Sequence, residues 1–479
     1  MSTPPLPDGL VAIVKRDCPT CRLVAPVLAD LADGDVQLTV YSQDDPTFPD
    51  EVKVVDDTDL ELSFALELET VPTLFRVDDG EIVGRTEGWL RSEWEALTGR
   101  APLGSALPEY RPGCGSRTLD PDIAAARDDA AGATRLRSRR IELGEQEDDV
   151  EAAFERGWSD GLPVVPPTPE RVARMLTGTE RDAGEVVAVV PPDLVECTVE
   201  KVATNSVMAG CKPAYLPVVL AAVEAACTDE FNMHGLLATT YFSGPVVIVN
   251  GPVTKAIGMN SGINALGQGN RANATIGRAL QLVVRNVGGG RPGEIDRATL
   301  GNPGKYTFCF AEDEAGSPWE PLHVERGLSS SASAVTLFAG DGVRGIVDQL
   351  SRTPDSLARS LAACLRAVPH PKLGLGFDAV LVVTPEHARV FREAGWSKAR
   401  VRDELLSHLQ LEGDAVVRGA GGITEGLPEF LAGATVPKFP DDGLLLVHAG
   451  GGAGLFSAII GGWINGPGGS QPVTREVRP

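Results

Sequence analysis

Basic side chains are in short supply in this chain: 43 lysines and arginines stand against 66 aspartates and glutamates, for a formal net charge of -23. Such a surface repels phosphate backbones and anionic lipid, which removes nucleic acid and membranes from the expected partners. A solvated acidic surface accounts for most of this charge, so it says little about substrate. No uncharged apolar run reaches membrane-spanning length, and Met1-Ser2-Thr3-Pro4-Pro5 has neither a basic nor an apolar leader region. A soluble, cytoplasmic protein is expected. In that reducing compartment eight cysteines are not a disulfide framework. They divide into buried small hydrophobes, redox thiols and candidate metal ligands.

Low-complexity sequence is also lacking, because the 54 glycines and 36 prolines fall between apolar runs. With 43% hydrophobic residues over 479 positions, the chain has room for two or three packed domains rich in turns.

The first hundred residues carry the most specific chemistry. Leu10 to Lys15 reads as a buried strand that runs into Asp17-Cys18-Pro19-Thr20-Cys21 and then an amphipathic helical pattern through Leu31. A cysteine at a helix N-terminus has its thiolate stabilised by the dipole and free amides, which makes Cys18 the expected nucleophile. Cys21, one turn further in, is the expected resolving thiol. Zinc is the competing reading of a C-x-x-C pair, but no second pair or paired histidines follow at ligand spacing. Further on, Glu69-Thr70-Val71-Pro72-Thr73-Leu74-Phe75 places a proline at the entry to a strand, followed by an acidic hairpin turn at Asp78-Asp79-Gly80-Glu81 and a second strand.

Strand, Cys-Pro-Thr-Cys, helix and Val71-Pro72-Thr73 together resemble the thioredoxin superfamily over about residues 8–99. The resemblance implies that Pro72 is a cis-proline facing the cysteine pair and that Thr73 opens the strand lining a substrate groove. Asp17 departs from the family, which usually has an aromatic residue or glycine there. The intervening Pro19-Thr20 is closer to glutaredoxin-like members.

Residues 101–150 read as a linker, broken by Pro102, Pro108 and Pro112 and then dominated by Ala, Arg and acidic residues. Within it, Pro112-Gly113-Cys114-Gly115 suggests an exposed, mobile thiol whose ionisation Arg111 and Arg117 would favour. Cys114 then reads either as an electron shuttle between domains or as an incidental loop residue. The basic run Arg135-Leu136-Arg137-Ser138-Arg139-Arg140 reads as an internal charge complement without a ligand.

From Glu151 to residue 479, short apolar strands alternate with helical patterns, which predicts a larger α/β domain with a mixed sheet. Thr168-Pro169-Glu170 has the form of a helix N-cap with proline at the first helical position. Two glycine-rich loops are candidate ligand sites. One leads through Asn270 and Arg271 into a helix, a setting that offers amides to a phosphate or carboxylate. The other, Gly450-Gly451-Gly452, follows a buried strand and precedes an apolar pattern read as helical; it is Rossmann-like in form but lacks the acidic residue such a unit needs. Tight backbone packing is the competing reading of these glycines.

Cys211, between Gly210 and Lys212, is a candidate activated thiol, and Cys309 lies in a strand whose facing the alternation leaves open. Cys227 and Cys364 sit in helical patterns and read as core. His323 and Glu325 are the acid/base or metal candidates, with a plain surface loop as the alternative. A metal ion is therefore a possible cofactor, although Met233-His234 and the cysteine spacings match no soft-metal motif.

Three phrases, Gly157-Trp158-Ser159-Asp160-Gly161-Leu162-Pro163, Gly269 to Arg278 and Trp319 to Arg326, make this larger domain similar to a bacterial family associated with thioredoxin fusions and with partners bearing a Sec/Cys-Gly-Ser-Cys motif. The resemblance carries no reaction with it. The expected function is a thiol-dependent redox enzyme in which the Cys-Pro-Thr-Cys domain serves a larger catalytic domain acting on a small anionic or sulfur-containing substrate. The alternatives are a C–S bond lyase or transferase with Cys211 or Cys309 as nucleophile, and a disulfide-reductase module on a partner-binding scaffold. An oligomer, with a redox or subunit partner, is expected.

Overall fold

In the computed structural model, residues 6–34, 36–120, 123, 136–144, 147–466 and 468–478 are described. The chain divides into two compact units after Ala133. Both are α/β, each built on a mixed sheet.

The first unit starts with β1 (Gly9–Val14), buried from Leu10 onward, and α1 (Pro19–Ala32). The chain continues through β2 (Leu38–Ser42), β3 (Val54–Asp56), α2 (Glu61–Ala65), β4 (Thr70–Val71), β5 (Thr73–Asp78), β6 (Glu81–Glu87), β7 (Trp89–Leu90) and α3 (Arg91–Thr98). The sheet order is β3-β2-β1-β5-β6, with β1, β2 and β3 parallel and β5 antiparallel to both its neighbours. Its core takes Leu10 to Val14 from β1, Val24, Leu28 and Leu31 from one face of α1, and the Trp89–Trp94 edge-to-face pair. Two further short strands, β8 (Tyr110–Arg111) and β9 (Cys114–Gly115), pair with β7 and β4.

The linker expectation is therefore corrected for its first part. Residues 101–120 pack onto the first unit through strand pairing and side chains: Trp89 Nε1 donates to Pro108 O at 2.6 Å and Thr20 Oγ1 to Pro112 O at 2.7 Å. The prolines that break a helical pattern still permit short extended pairing at an edge. Residues 121, 122 and 124–135, including Arg135 of the basic run, lie outside the described residues. From the rest of that run the backbone amides of Arg137 and Ser138 both donate to the buried Glu200 carboxylate at 2.9 Å, so the peptide N–H groups, rather than the guanidiniums, complement it.

The second unit opens with helices Asp149–Glu155 and Pro169–Leu176; Thr168 caps the latter as expected, its Oγ1 accepting the Arg171 amide. A hairpin of β10 (Val186–Val190) and β11 (Val195–Thr198) precedes helices Val199–Ala209 and Leu216–Ala226. The main sheet uses β12 (Gly244–Asn250), β13 (Cys309–Ala311), β14 (Ala334–Val347) and β15 (Phe377–Val383). After the small pair β16 (Gln410–Glu412) and β17 (Thr435–Pro437) come β18 (Leu444–His448), β19 (Phe456–Ile464) and β20 (Val473–Glu476). The order is β13-β12-β14-β19-β15-β18, with β20 also on β14; β12 and β13 are parallel, as are β15 and β18.

Helices Val199–Ala209, Leu216–Ala226 and Arg271–Asn286 cover one half of this sheet, packing on Val247, Val249, Val335 and Leu337. Helices Pro354–Leu365, Pro385–Glu393 and Lys398–His408 cover Ala379, Leu381, Leu444 and Leu446 in the other half. The opposite face gathers Val246, Ile248, Phe308 and Phe310 into one cluster with Val380, Val382, Leu445 and Val447. A flat sheet would keep edge strands β13 and β18 far apart. Here it curls until they meet: the amide of Asp313, just past β13, donates at 2.8 Å to the carbonyl of His448, the last residue of β18.

Among the described residues no helix is long and apolar enough to cross a membrane.

Candidate functional sites

In the first unit the buried strand β1 delivers the chain to a turn held by Asp44, whose carboxylate accepts the Arg16 and Asp17 amides at 2.7 and 2.9 Å. Cys18 follows in an extended conformation and caps α1, with Pro19 at the first helical position, where a missing N–H costs nothing. Its Sγ accepts the Cys21 amide at 3.2 Å and lies 3.6 Å from Val71 O, while Cys21 Sγ accepts the Lys15 amide at 3.5 Å. The Val71–Pro72 peptide is cis, and Pro72 joins β4 to β5 beside the cysteine pair.

These contacts divide the two thiols by ionisation. Hydrogen bonds from the Cys21 thiol, the Cys114 thiol and the Cys21 and Thr20 amides outweigh burial and hold Cys18 at about 5, against an ordinary value of 9.0. Burial, reinforced by the Cys18 thiolate, pushes Cys21 far upward. At neutral pH Cys18 is therefore the thiolate and Cys21 the stored thiol, the asymmetry that exchange requires.

Cys114 differs from its expectation. It lies in β9, half-buried and paired with Val71, whose carbonyl is 3.6 Å from Cys18 Sγ, so it is not a free loop thiol. Burial and the neighbouring Cys18 raise its pKa. The Arg117 guanidinium is spent on Gln43 O at 2.8 Å and on Asp120.

In the second unit polar groups converge where the sheet edges meet. Glu312, buried just past β13, accepts the Asn250 side-chain amide at 2.7 Å and the Leu322 amide at 2.8 Å. Asn250 also donates to Glu314 at 2.9 Å, and the Glu314 carboxylate lies 3.6 Å from His323 Nδ1. His448 Nε2 is 4.0 Å from the Asp313 carboxylate. His323 and His448 are 0% and 1% exposed, and neither ring nitrogen of His323 has a hydrogen-bond partner among the described residues. Burial raises the Glu312 pKa, and burial, with help from Arg392, lowers that of His448. Sequence reasoning reached His323 but missed Asn250, Glu312 and His448. The available signal was polar residues at the C-terminal ends of three buried strands.

Glu325 is not His323's partner, although the two share the short helix Leu322–Glu325. Its carboxylate pairs with Lys398 Nζ at 2.9 Å and with Arg402, and these cations, against the effect of burial, hold it below the ordinary carboxylate range. It is an ion-pair anchor. Among the described residues no group of three or more His, Cys, Asp or Glu side chains is arranged to hold a metal.

Cys211 and Cys309 are corrected as nucleophiles. Both are buried against Arg271–Asn286 in the main core, where burial pushes Cys211 up to about 12 and Cys309 higher. Arg271, Arg278 and the Thr275 carbonyl, to which the Cys211 thiol donates at 3.4 Å, act on Cys211 without offsetting burial. Cys227 and Cys364 pack at the edges of the two helical cores.

The glycine loops also differ from expectation. Asn270 caps its helix, its Oδ1 accepting the Asn273 amide at 3.1 Å and its Nδ2 donating to Gly258 O at 2.8 Å, and Arg271 Nε donates to Gly210 O at 2.9 Å. The groups read as anion ligands thus hold their own loop. After Gly450, Gly451 and Gly452 the chain enters strand β19, not a helix, which removes the dinucleotide geometry; a short apolar run carries either period. Gly452 nevertheless lines a shallow cleft with Gly316, Glu386, Arg389 and Arg392, next to the His448 end of the seam.

No protein-family model matches the chain, and no curated protein is significantly similar to it.

Proposed function

We propose that the first unit is a thioredoxin-like thiol–disulfide oxidoreductase and that it serves chemistry in the larger unit. The observation that carries this reading is the pair's geometry within one helical turn: Cys18 Sγ caps α1 and accepts the Cys21 amide at 3.2 Å beside Val71 O, while Cys21 is fully buried, which favours the Cys18 thiolate and keeps Cys21 a thiol. Cys18 thiolate attacks one sulfur of a disulfide, forming a mixed disulfide as the substrate S–S bond breaks and its other sulfur leaves as a thiolate. Cys21, losing its proton, attacks Cys18 and releases the second substrate thiol. The mixed sheet order and the placement of Pro72 beside the pair agree with the resemblance.

For the larger unit the reading is a small anionic substrate at the Arg389/Arg392 cleft, with the buried His448, Glu312 and His323 seam beside it as acid–base machinery. Arg392 and a glycine backbone suit a carboxylate or oxyanion there, with Arg389, 3.9 Å from the Glu386 carboxylate of the same cleft, as the second cation. The lyase or transferase alternative draws no support from Cys211 or Cys309, which burial keeps protonated.

The test is a redox titration of the full chain in dithiothreitol buffers of graded potential, with free thiols counted by alkylation and mass. A two-electron transition confined to the first unit's cysteines, and lost in Cys18→Ser, is expected. A chain whose cysteines stay reduced across the range would defeat the proposal. Trapping on Cys21→Ser/Cys114→Ser, in which neither neighbouring thiol can release a mixed disulfide from Cys18, then identifies the disulfide partner of the first unit.

A further inference from the structure

The thiolate that carries the exchange is closed off from solvent: Cys18 is 0% exposed, whereas Cys114 is half-buried. The return segment from Tyr110 to Thr118 lies across it and is fastened at every step. Tyr110 and Arg111 pair with Leu90 and Trp89, Pro112 O accepts from Thr20 Oγ1 at 2.7 Å, and Cys114 and Gly115 pair with Val71 and Thr70. The Ser116 amide donates to Glu69 O at 2.9 Å, and the buried Gln43 donates to Ser116 Oγ at 2.7 Å and accepts the Arg117 amide at 3.0 Å. At Gly113 a Cβ would stand 2.3 Å from Thr70 Cγ2 and 2.8 Å from Val71 O, so only glycine permits this approach. Thr20 and Val71 flank Cys18, and the segment bridges both.

We propose that Cys114 is the third redox residue of the first unit, an internal exchange partner that forms a disulfide with Cys18. The proposal rests on the thiol–disulfide reading above and deepens it. In the unit oxidised at Cys18–Cys21, the Cys114 thiolate attacks Cys18 Sγ. The Cys18–Cys114 bond forms as the Cys18–Cys21 bond breaks, and Cys21 leaves as a thiolate that takes up the proton Cys114 gave away. No electrons enter or leave, and the reverse step restores the first disulfide. Exchange needs a central sulfur within reach of both an attacking and a leaving sulfur: Cys18 Sγ accepts the Cys21 amide at 3.2 Å and lies 3.6 Å from Val71 O, and Val71 is the residue with which Cys114 pairs. Tethering replaces a bimolecular encounter with an intramolecular one. The consequence is a route by which the covered Cys18 exchanges with solvent-side partners through the more exposed Cys114.

Full-length Cys21→Ser, equilibrated in a glutathione redox buffer, alkylated and mapped by mass spectrometry, tests this. A Cys18–Cys114 disulfide at least tenfold more abundant than glutathione on Cys18 is expected. Glutathione on Cys18 with Cys114 alkylated would overturn it. Adding Gly113→Val to that background retains Cys18 and Cys114 but displaces the segment, and should cut the internal disulfide at least tenfold in favour of glutathionylation. An unchanged ratio would sink the docked geometry as its cause. A parent chain that forms no Cys18–Cys21 disulfide would defeat the underlying reading, whereas a parent that cycles beside a Cys21→Ser chain carrying only glutathione defeats Cys114 alone.

Discussion

Asp160 and Arg278, distant in sequence, form a bidentate pair in which Arg278 Nε and one terminal nitrogen each lie 2.8 Å from a carboxylate oxygen. The same guanidinium reaches Leu162 O at 3.1 Å and Pro163 O at 2.9 Å, and both side chains are mostly buried. Two of the phrases that suggested a family thus meet, and they meet to hold the start of the second unit onto helix Arg271–Asn286. Asp160→Asn leaves that guanidinium without its counter-charge. A loss of about 3–5 kcal/mol is expected, as for breaking a buried pair. Denaturant unfolding followed by tryptophan fluorescence checks it, with the first unit's redox transition expected to stay in place.

The Cys18 thiolate makes the reduced protein's stability depend on pH. A folded pKa of about 5 lies below the unfolded thiol's value of about 8.5. The stabilisation is therefore complete above the unfolded value and is lost as pH falls through the folded one. The parent's advantage over Cys18→Ser should shrink steadily from about pH 8 to pH 5 in reducing buffer. Thiolate absorbance in the ultraviolet should show a midpoint near the lower end of that window, absent in the variant.

Local chemistry was legible in the sequence where one element carries it. Cys18 as a helix cap with Cys21 one turn behind follows from a strand, a Cys-Pro-Thr-Cys run and a helical period, and the α/β class follows from alternation. What escaped depends on long-range placement. Cys114 reads as a loop thiol because its partner strand, Thr70–Val71, is only two residues long and carries no strand period of its own. Glu312 and His448 escaped because β13 and β18 are opposite edges of one sheet, and only its curl brings them together. His323 and Glu325, two apart on one short helix, point to different partners, which proximity in sequence does not reveal.

His448 carries a second pH dependence, of opposite origin. Burial and Arg392 lower its pKa, with Asp313 opposing, so the folded protein favours the neutral ring. A depressed imidazole pKa means that stability is full above the unfolded value of about 6.5 and declines as pH falls below it. His448→Phe removes the titrating group and fills the same space. Its unfolding midpoint should fall less than the parent's between about pH 7 and pH 5. Equal slopes would show that the ring does not titrate differently in the two states.

Glu325 separates an ion-pair anchor from an acid or base. Its carboxylate faces Lys398, 7% exposed, and Arg402, and no other carboxylate is paired with Lys398 among the described residues. Glu325→Gln keeps the shape but leaves two cations facing each other across a neutral amide, at an expected cost of about 3–5 kcal/mol. As an anchor, it should lower the unfolding midpoint while leaving untouched the pH profile of turnover at the Arg389/Arg392 cleft. His323→Gln should move that profile if the seam supplies the proton, whatever the swap costs in stability at this 0%-exposed position. A pH profile moved by Glu325→Gln and unmoved by His323→Gln would exchange the two roles.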